Sequence, residues 1–232
     1  CSSDLQILIT PGTSVSYWYC FKLLANACDE ILTPQPSYPL FDYIAQLCDV
    51  RLTYYRLLEE EGWKIDLDHL EHAITERTRA IVLISPHNPT GMVASAEQVA
   101  ALGEIAAKHQ LPVISDEVFS EFLFGMDSLP RPMISGAPLV FTLNGFSKMF
   151  ALPGIKFGWV AVSGDAPLVE KALGALEMIS DTFLPVNEMV QFAAPGIFHE
   201  GGNFQKDYRN WVARSRQLAL NGLAGCELEI GR

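Results

Sequence analysis

The sequence is short of positive charge. Its 232 residues carry 16 lysines and arginines against 27 aspartates and glutamates, a net charge of −11, and no basic run offsets that balance. A field of this sign repels phosphate backbones and anionic headgroups, which argues against nucleic acid or membrane as partners of this domain. No apolar run reaches the roughly 20 residues of a membrane span, and the first residues show no basic stretch leading into an apolar one. Cysteine is sparse: Cys1, Cys20, Cys28, Cys48 and Cys226 are odd in number and never spaced C-x-x-C. They sit mostly in apolar stretches and read as small core residues in a reducing, cytoplasmic setting, with no metal site expected. Repeats, low-complexity segments and linkers are also missing. The sequence opens at Cys1 without methionine and stops at Arg232 just after a strand-like CELEI, so it reads as a portion of a longer protein.

What is present is a hydrophobic fraction of 49%, enough to bury the core of one large domain. Apolar strand-like runs at Leu5 to Thr10, Glu30 to Thr33, Val50 to Leu57, Ala80 to Ser85, Leu111 to Ser115, Pro138 to Leu143 and Ile155 to Val162 recur along the chain. Helical spacing is read between and after them, at Thr13 to Ala27, Leu67 to Ile74, Ser95 to His109, Ala166 to Ile179, Val186 to Phe198 and Phe204 to Leu223. Ser95 with Gln98 three residues on predicts a capping box. Pro34, Pro36 and Pro39 exclude helix until about Leu40. Arg209, Arg214 and Arg216 fall on a face read as solvated. The alternation predicts an α/β fold, a mainly parallel sheet with helices on both faces.

Four motifs each follow an apolar strand, so all are expected at the carboxyl edge, where such sheets bind ligands. Thr13 and Ser14, after Pro11-Gly12, open a helix whose free N–H groups and positive dipole end suit an anion; a plain N-cap is the other reading. PHNPTG at 86 to 91 is a loop stiffened by two prolines. Asp116 in SDEVF ends a buried strand, where a carboxylate needs a cation or donor; Glu117 beside it reads as a solvated or helix-capping carboxylate. Lys148 in LNGFSKMF lies where a buried strand opens into a turn. Partial dehydration there lowers an ammonium pKa and makes the amine a nucleophile toward aldehydes.

These motifs, in this order, resemble the class I/II (fold type I) aminotransferases, which use pyridoxal 5'-phosphate. The resemblance implies a seven-stranded sheet with one antiparallel member, Ile155 to Val162, a large cofactor domain at 1–225 and the beginning of a truncated small domain at 226–232. It implies that Lys148 carries the cofactor as a Schiff base and that Asp116 pairs with the ring nitrogen. Asn88 would meet the phenolic oxygen, Tyr38 of P-Q-P-S-Y-P would stack on the ring, and Thr13, Ser14, Ser147 and Lys156 would hold the phosphate. Three positions depart from the family: Phe119 replaces the usual tyrosine, Lys156 the usual arginine, and Gly145 a serine found in many members. The implied reaction moves an amino group between an amino acid and a 2-oxo acid in a homodimer. This portion alone is expected to be inactive, because the arginine that grips substrate lies beyond it. The same motifs also serve carbon-sulfur lyases, cyclopropane-forming synthases and sensor domains of transcription regulators, and they do not by themselves separate these.

Overall fold

A computed structural model describes residues 6–183 and 185–224. Cys1, Cys226 and the small-domain segment expected at 226–232 lie outside the described residues. The described chain forms one sheet of eight strands: β1 (Ile7–Thr10), β2 (Glu30–Gln35), β3 (Arg51–Leu58), β4 (Lys64–Ile65), β5 (Thr78–Ile84), β6 (Val113–Asp116), β7 (Leu139–Gly145) and β8 (Gly158–Gly164). Their order across the sheet is β1-β8-β7-β6-β5-β2-β3-β4.

The central strands are β-branched and aliphatic because both faces are covered. Along β5 the side chains alternate between two cores: Ala80, Val82 and Ile84 join one, Ile81 and Leu83 the other. Helices α1 (Thr13–Leu24), α2 (Phe41–Cys48) and α6 (Ala166–Thr182) cover the first face. Helices α3 (Leu67–His72) and α4 (Ala96–Lys108) cover the second. Ser95 and Gln98 close the expected capping box at the start of α4. A third cluster packs the short helix α5 (Phe146–Met149) beneath the long helix α7 (Glu188–Leu223).

The parallel sheet with one reversed strand is present, since β8 runs antiparallel to both β7 and β1. Two expectations about it are corrected. The reversed strand begins at Gly158 rather than Ile155, because Lys156 turns through a left-handed conformation at φ 57°. An eighth strand, β4, pairs antiparallel with the end of β3. It is two residues long and follows Gly62 at φ 74°, too short for any hydrophobic period to announce it.

Two expected helices are in fact one. α7 runs unbroken for 36 residues through Pro195. Gly201, in the gap between the two expected helices, packs closely: a Cβ there would lie 2.5 Å from the Phe150 ring. Packing has overridden local propensity. Two of the three arginines expected on a solvated face are engaged, Arg209 lying 3.6 Å from Glu121 and Arg216 5.9 Å from the centre of the Phe124 ring, while Arg214 is exposed as expected. Cys20 and Cys48 are buried as expected, whereas Cys28 is exposed.

Candidate active site

Because β1, β2, β5, β6 and β7 point the same way, the segments after them share one edge of the sheet. The strand order reverses between β2 and β5, the place where open α/β sheets form a crevice. Tyr38 follows β2 and Asn88 follows β5, so the two flank that reversal. Asp116 and Leu143 are register partners on β6 and β7, and Lys148 comes five residues after Leu143.

Asp116 is 8% exposed. Tyr17 Oη donates to its Oδ2 at 2.8 Å, and the Val118 N–H donates to its Oδ1 at 3.0 Å. Burial still holds its pKa above the ordinary carboxylate value, with the two donors and the Lys148 charge pulling it back. A buried anion with a lysine within reach of its field is poised to accept a further cationic partner. Tyr17 reaches it from α1, and an aromatic chain extends outward from there. Its ring meets Phe41 edge-on at 4.7 Å, and Phe41 meets Tyr38 at 5.7 Å. Tyr38 itself is half-buried at the rim.

Lys148 sits on α5, with its Nζ 5.7 Å from the centre of the Phe119 ring. Phe119 therefore faces the lysine rather than the core. Together with Asn88 it lines a cavity of about 610 Å³ that also takes in Trp63, His87 and Arg216. The loop bearing Asn88 is braced from within. His87 N donates to the Met92 carbonyl and Gly91 N to that of His87, both at 2.7 Å, and His87 Nδ1 meets Thr90 Oγ1 at 2.8 Å. Burial depresses the pKa of His87 to about 4, so the ring is neutral at pH 7.

Thr13 and Ser14 form the first turn of α1, whose N-cap, Gly12, has no side chain to occupy the first N–H groups. Ser147 is half-buried on α5, and Lys156 is exposed on the turn before β8. Three glycines meet below these residues. A Cβ on Gly158 would lie 3.0 Å from Gly12 Cα, and one on Gly145 would lie 2.8 Å from the Phe157 carbonyl oxygen. Gly145 therefore has no room for a side chain. Its glycine is a packing requirement.

Sequence reasoning misread Glu117 and passed over Tyr17 and Asn144. Glu117 is 1% exposed, accepts a hydrogen bond from Ser115 Oγ at 3.2 Å and forms an ion pair with Arg131. Burial pushes its pKa up while Arg131 draws it down. Its apparent freedom in sequence came from its position after the strand, whereas its neutralising arginine arrives from a loop 14 residues on. The unusual Asp-Glu pair ending an apolar strand was the one local signal.

The sequence matches the family model for aminotransferase class I and II across residues 2–230. The chain belongs to that family. Among its relatives, glutamate-pyruvate aminotransferase AlaA of Escherichia coli K12 is 34% identical over 190 residues, covering 81% of this chain and 47% of the relative. Tyrosine aminotransferase of Dictyostelium discoideum is 27% identical over 213 residues, covering 90% and 51% respectively. Among solved structures, a Thermus thermophilus aspartate aminotransferase single mutant superposes with a TM-score of 0.90 at 26% identity, covering 98% of this chain and 59% of the other. The alanine aminotransferase of Pyrococcus furiosus gives a TM-score of 0.87 at 27% identity, covering 95% and 56%. The chain spans about half the length of the curated relatives it matches. Its fold is that of part of a fold type I aminotransferase. Among the described residues no helix is long and apolar enough to cross a membrane.

Proposed function

We propose that this chain is the cofactor-binding domain of an aminotransferase that moves an amino group between an amino acid and a 2-oxo acid. The observation that carries the reading is a buried carboxylate, Asp116, at the end of β6, within the field of the exposed Lys148 amine that follows the neighbouring strand β7. Family membership adds the cofactor, pyridoxal 5'-phosphate, and the residues fit it. Asp116 has two donors yet its pKa stays raised, so a protonated ring nitrogen would complete its environment. The uncapped first turn of α1, with the hydroxyls of Thr13 and Ser14, suits a phosphate. When bound, this group supplies an aldehyde that captures amines and a ring that withdraws electrons.

The remaining roles belong to side chains. Lys148 would hold the aldehyde of that group covalently and, as a free amine, would accept and return the substrate proton. Asp116 would hold a proton on the ring nitrogen by its charge. Tyr38 would cover the ring, Asn88 would donate its amide to the phenolic oxygen, and Ser147 and Lys156 would join Thr13 and Ser14 in holding the phosphate. Lys156 would serve there as a point charge without the two-pronged grip of arginine. Phe119 would offer the phenolic oxygen no donor. The described residues belong to the large domain, and the working form is a cytoplasmic homodimer whose substrates reach the edge described above.

The test is chemical. Incubate the chain with pyridoxal 5'-phosphate, reduce with borohydride and map the peptides. The label is expected on Lys148. A label on Lys156, or on no lysine, would overturn the assignment.

A further inference from the structure

Asn144 is the penultimate residue of β7 and has no role in the reading above, yet every part of its buried carboxamide is used. Nδ2 donates to the Glu117 carbonyl at 2.9 Å and to the Ser120 hydroxyl at 3.1 Å, while Oδ1 accepts the Gly145 N–H at 2.7 Å. One side chain thus ties the turn after Asp116 to the residue that opens the Lys148 helix. The turn is itself anchored, because Glu117 N donates to the Leu143 carbonyl and its carboxylate is fixed by Ser115 and Arg131.

Core filling does not account for a carboxamide here, since an apolar side chain of similar volume would pack without needing three partners. Gly145 supplies the reason. Its neighbours leave no space for a Cβ, so the position must be glycine, the residue with the freest backbone. That freedom falls at the joint between β7 and the lysine. The Oδ1 contact with the Gly145 N–H removes it.

We propose that Asn144 is a positioning residue that sets the register of the Lys148 segment against the Asp116 turn, so that amine and carboxylate meet one cofactor at a fixed separation. The inference rests on the reading that both residues face pyridoxal 5'-phosphate. Asn144→Ala removes all three bonds, whereas Asn144→Asp retains the acceptor and sets a carboxylate oxygen against the Glu117 carbonyl. Val140→Ala, on the same strand and the same face, is the control for lost stability alone.

The experiment measures three quantities on the full chain: thermal midpoint, dissociation constant for pyridoxal 5'-phosphate, and visible circular dichroism per bound cofactor. Both Asn144 variants should bind about tenfold more weakly, as expected when groups that act together are held less firmly, and lose about half of the dichroism. Val140→Ala should lower the midpoint and leave the other two unchanged. Ser120→Ala removes a single one of the bonds and should weaken binding about twofold, which keeps the test open if the Asn144 variants do not fold. Wild-type affinity and dichroism in the foldable Asn144 variants, or in Ser120→Ala if neither folds, would overturn the positioning role. So would equal changes in Val140→Ala. A wild-type chain that takes up no cofactor would instead sink the proposed function itself.

Discussion

Tyr17 donates its hydroxyl proton to Oδ2 of Asp116 at 2.8 Å, although 99 residues separate the two in sequence. The bond joins the first helix to the end of a central strand, and burial together with the Asp116 charge holds the phenol pKa well above its ordinary value. Tyr17→Phe keeps the ring contacts with Phe21 and Phe41 and removes the donor. A hydrogen bond to a charged group contributes about 1.5 to 3 kcal/mol, so cofactor affinity should fall by roughly ten- to a hundredfold. Asp116 has a folded-state pKa raised above its ordinary value, so folding is opposed as pH rises from the ordinary value to the folded one, and the penalty is complete above it; losing a donor raises the pKa further. The variant should therefore lose stability at pH 7 and little near pH 3, where the carboxyl is protonated. Urea denaturation at the two pH values measures this, and equal losses would show that the hydroxyl acts only through packing.

Asp116→Asn is the complementary change. The amide oxygen can still accept from Tyr17 or Val118, so the fold should survive while the anion disappears. Loss of one partly desolvated ion pair, a few kcal/mol, should slow amino transfer by roughly two to three powers of ten in the active protein. Single-turnover rates with an amino acid donor check this. Near-normal rates would mean that another group holds the proton on the ring.

The main strands were legible because buried parallel strands must be continuous apolar runs, and Ala80 to Ile84 could be read as nothing else of that length. The motif residues were legible because they end those runs. Through-space partnerships were not. Tyr17 is one aromatic among several in α1, and nothing local says that its hydroxyl, rather than that of Tyr19, meets Asp116. Glu117 looked solvated because Arg131 comes from an irregular loop. β4 was too short to carry a pattern, and the close packing of Gly201 against Phe150 inside the continuous α7 has no local signature.

Gly145→Ser tests whether glycine at this position leaves out a phosphate ligand or meets a steric demand. A Cβ would stand 2.8 Å from the Phe157 carbonyl oxygen and 2.9 Å from Gly158 Cα, both backbone atoms that cannot swing away. Forcing the strands apart should cost about 1 to 3 kcal/mol, seen as a lower thermal midpoint, with no gain in phosphate affinity. A more stable variant that binds the cofactor more tightly would show that the β7 and β8 pair yields easily.

The last prediction concerns His87, in the loop that carries Asn88. The ring is 3% exposed, and burial depresses its pKa from 6.5 to about 4. Its Nδ1 is engaged with Thr90 Oγ1, and burial of the ring outweighs the Pro36 backbone contact that favours the charged form, so a second proton is poorly accommodated. Above pH 6.5 the ring is neutral in both folded and unfolded chains and stability is unaffected. As pH falls below 6.5 the unfolded chain takes up a proton that the folded chain refuses until about pH 4. That imbalance should remove roughly 3 kcal/mol of stability across the window, at about 1.4 kcal/mol per pKa unit. His87→Gln should flatten the decline between pH 6.5 and 4 while leaving the carboxylate-driven loss at lower pH in place. Denaturation curves of both forms across this range decide the matter: parallel pH profiles would show that His87 becomes protonated within the fold without cost, and that the loop holding Asn88 is more open to water than its burial indicates.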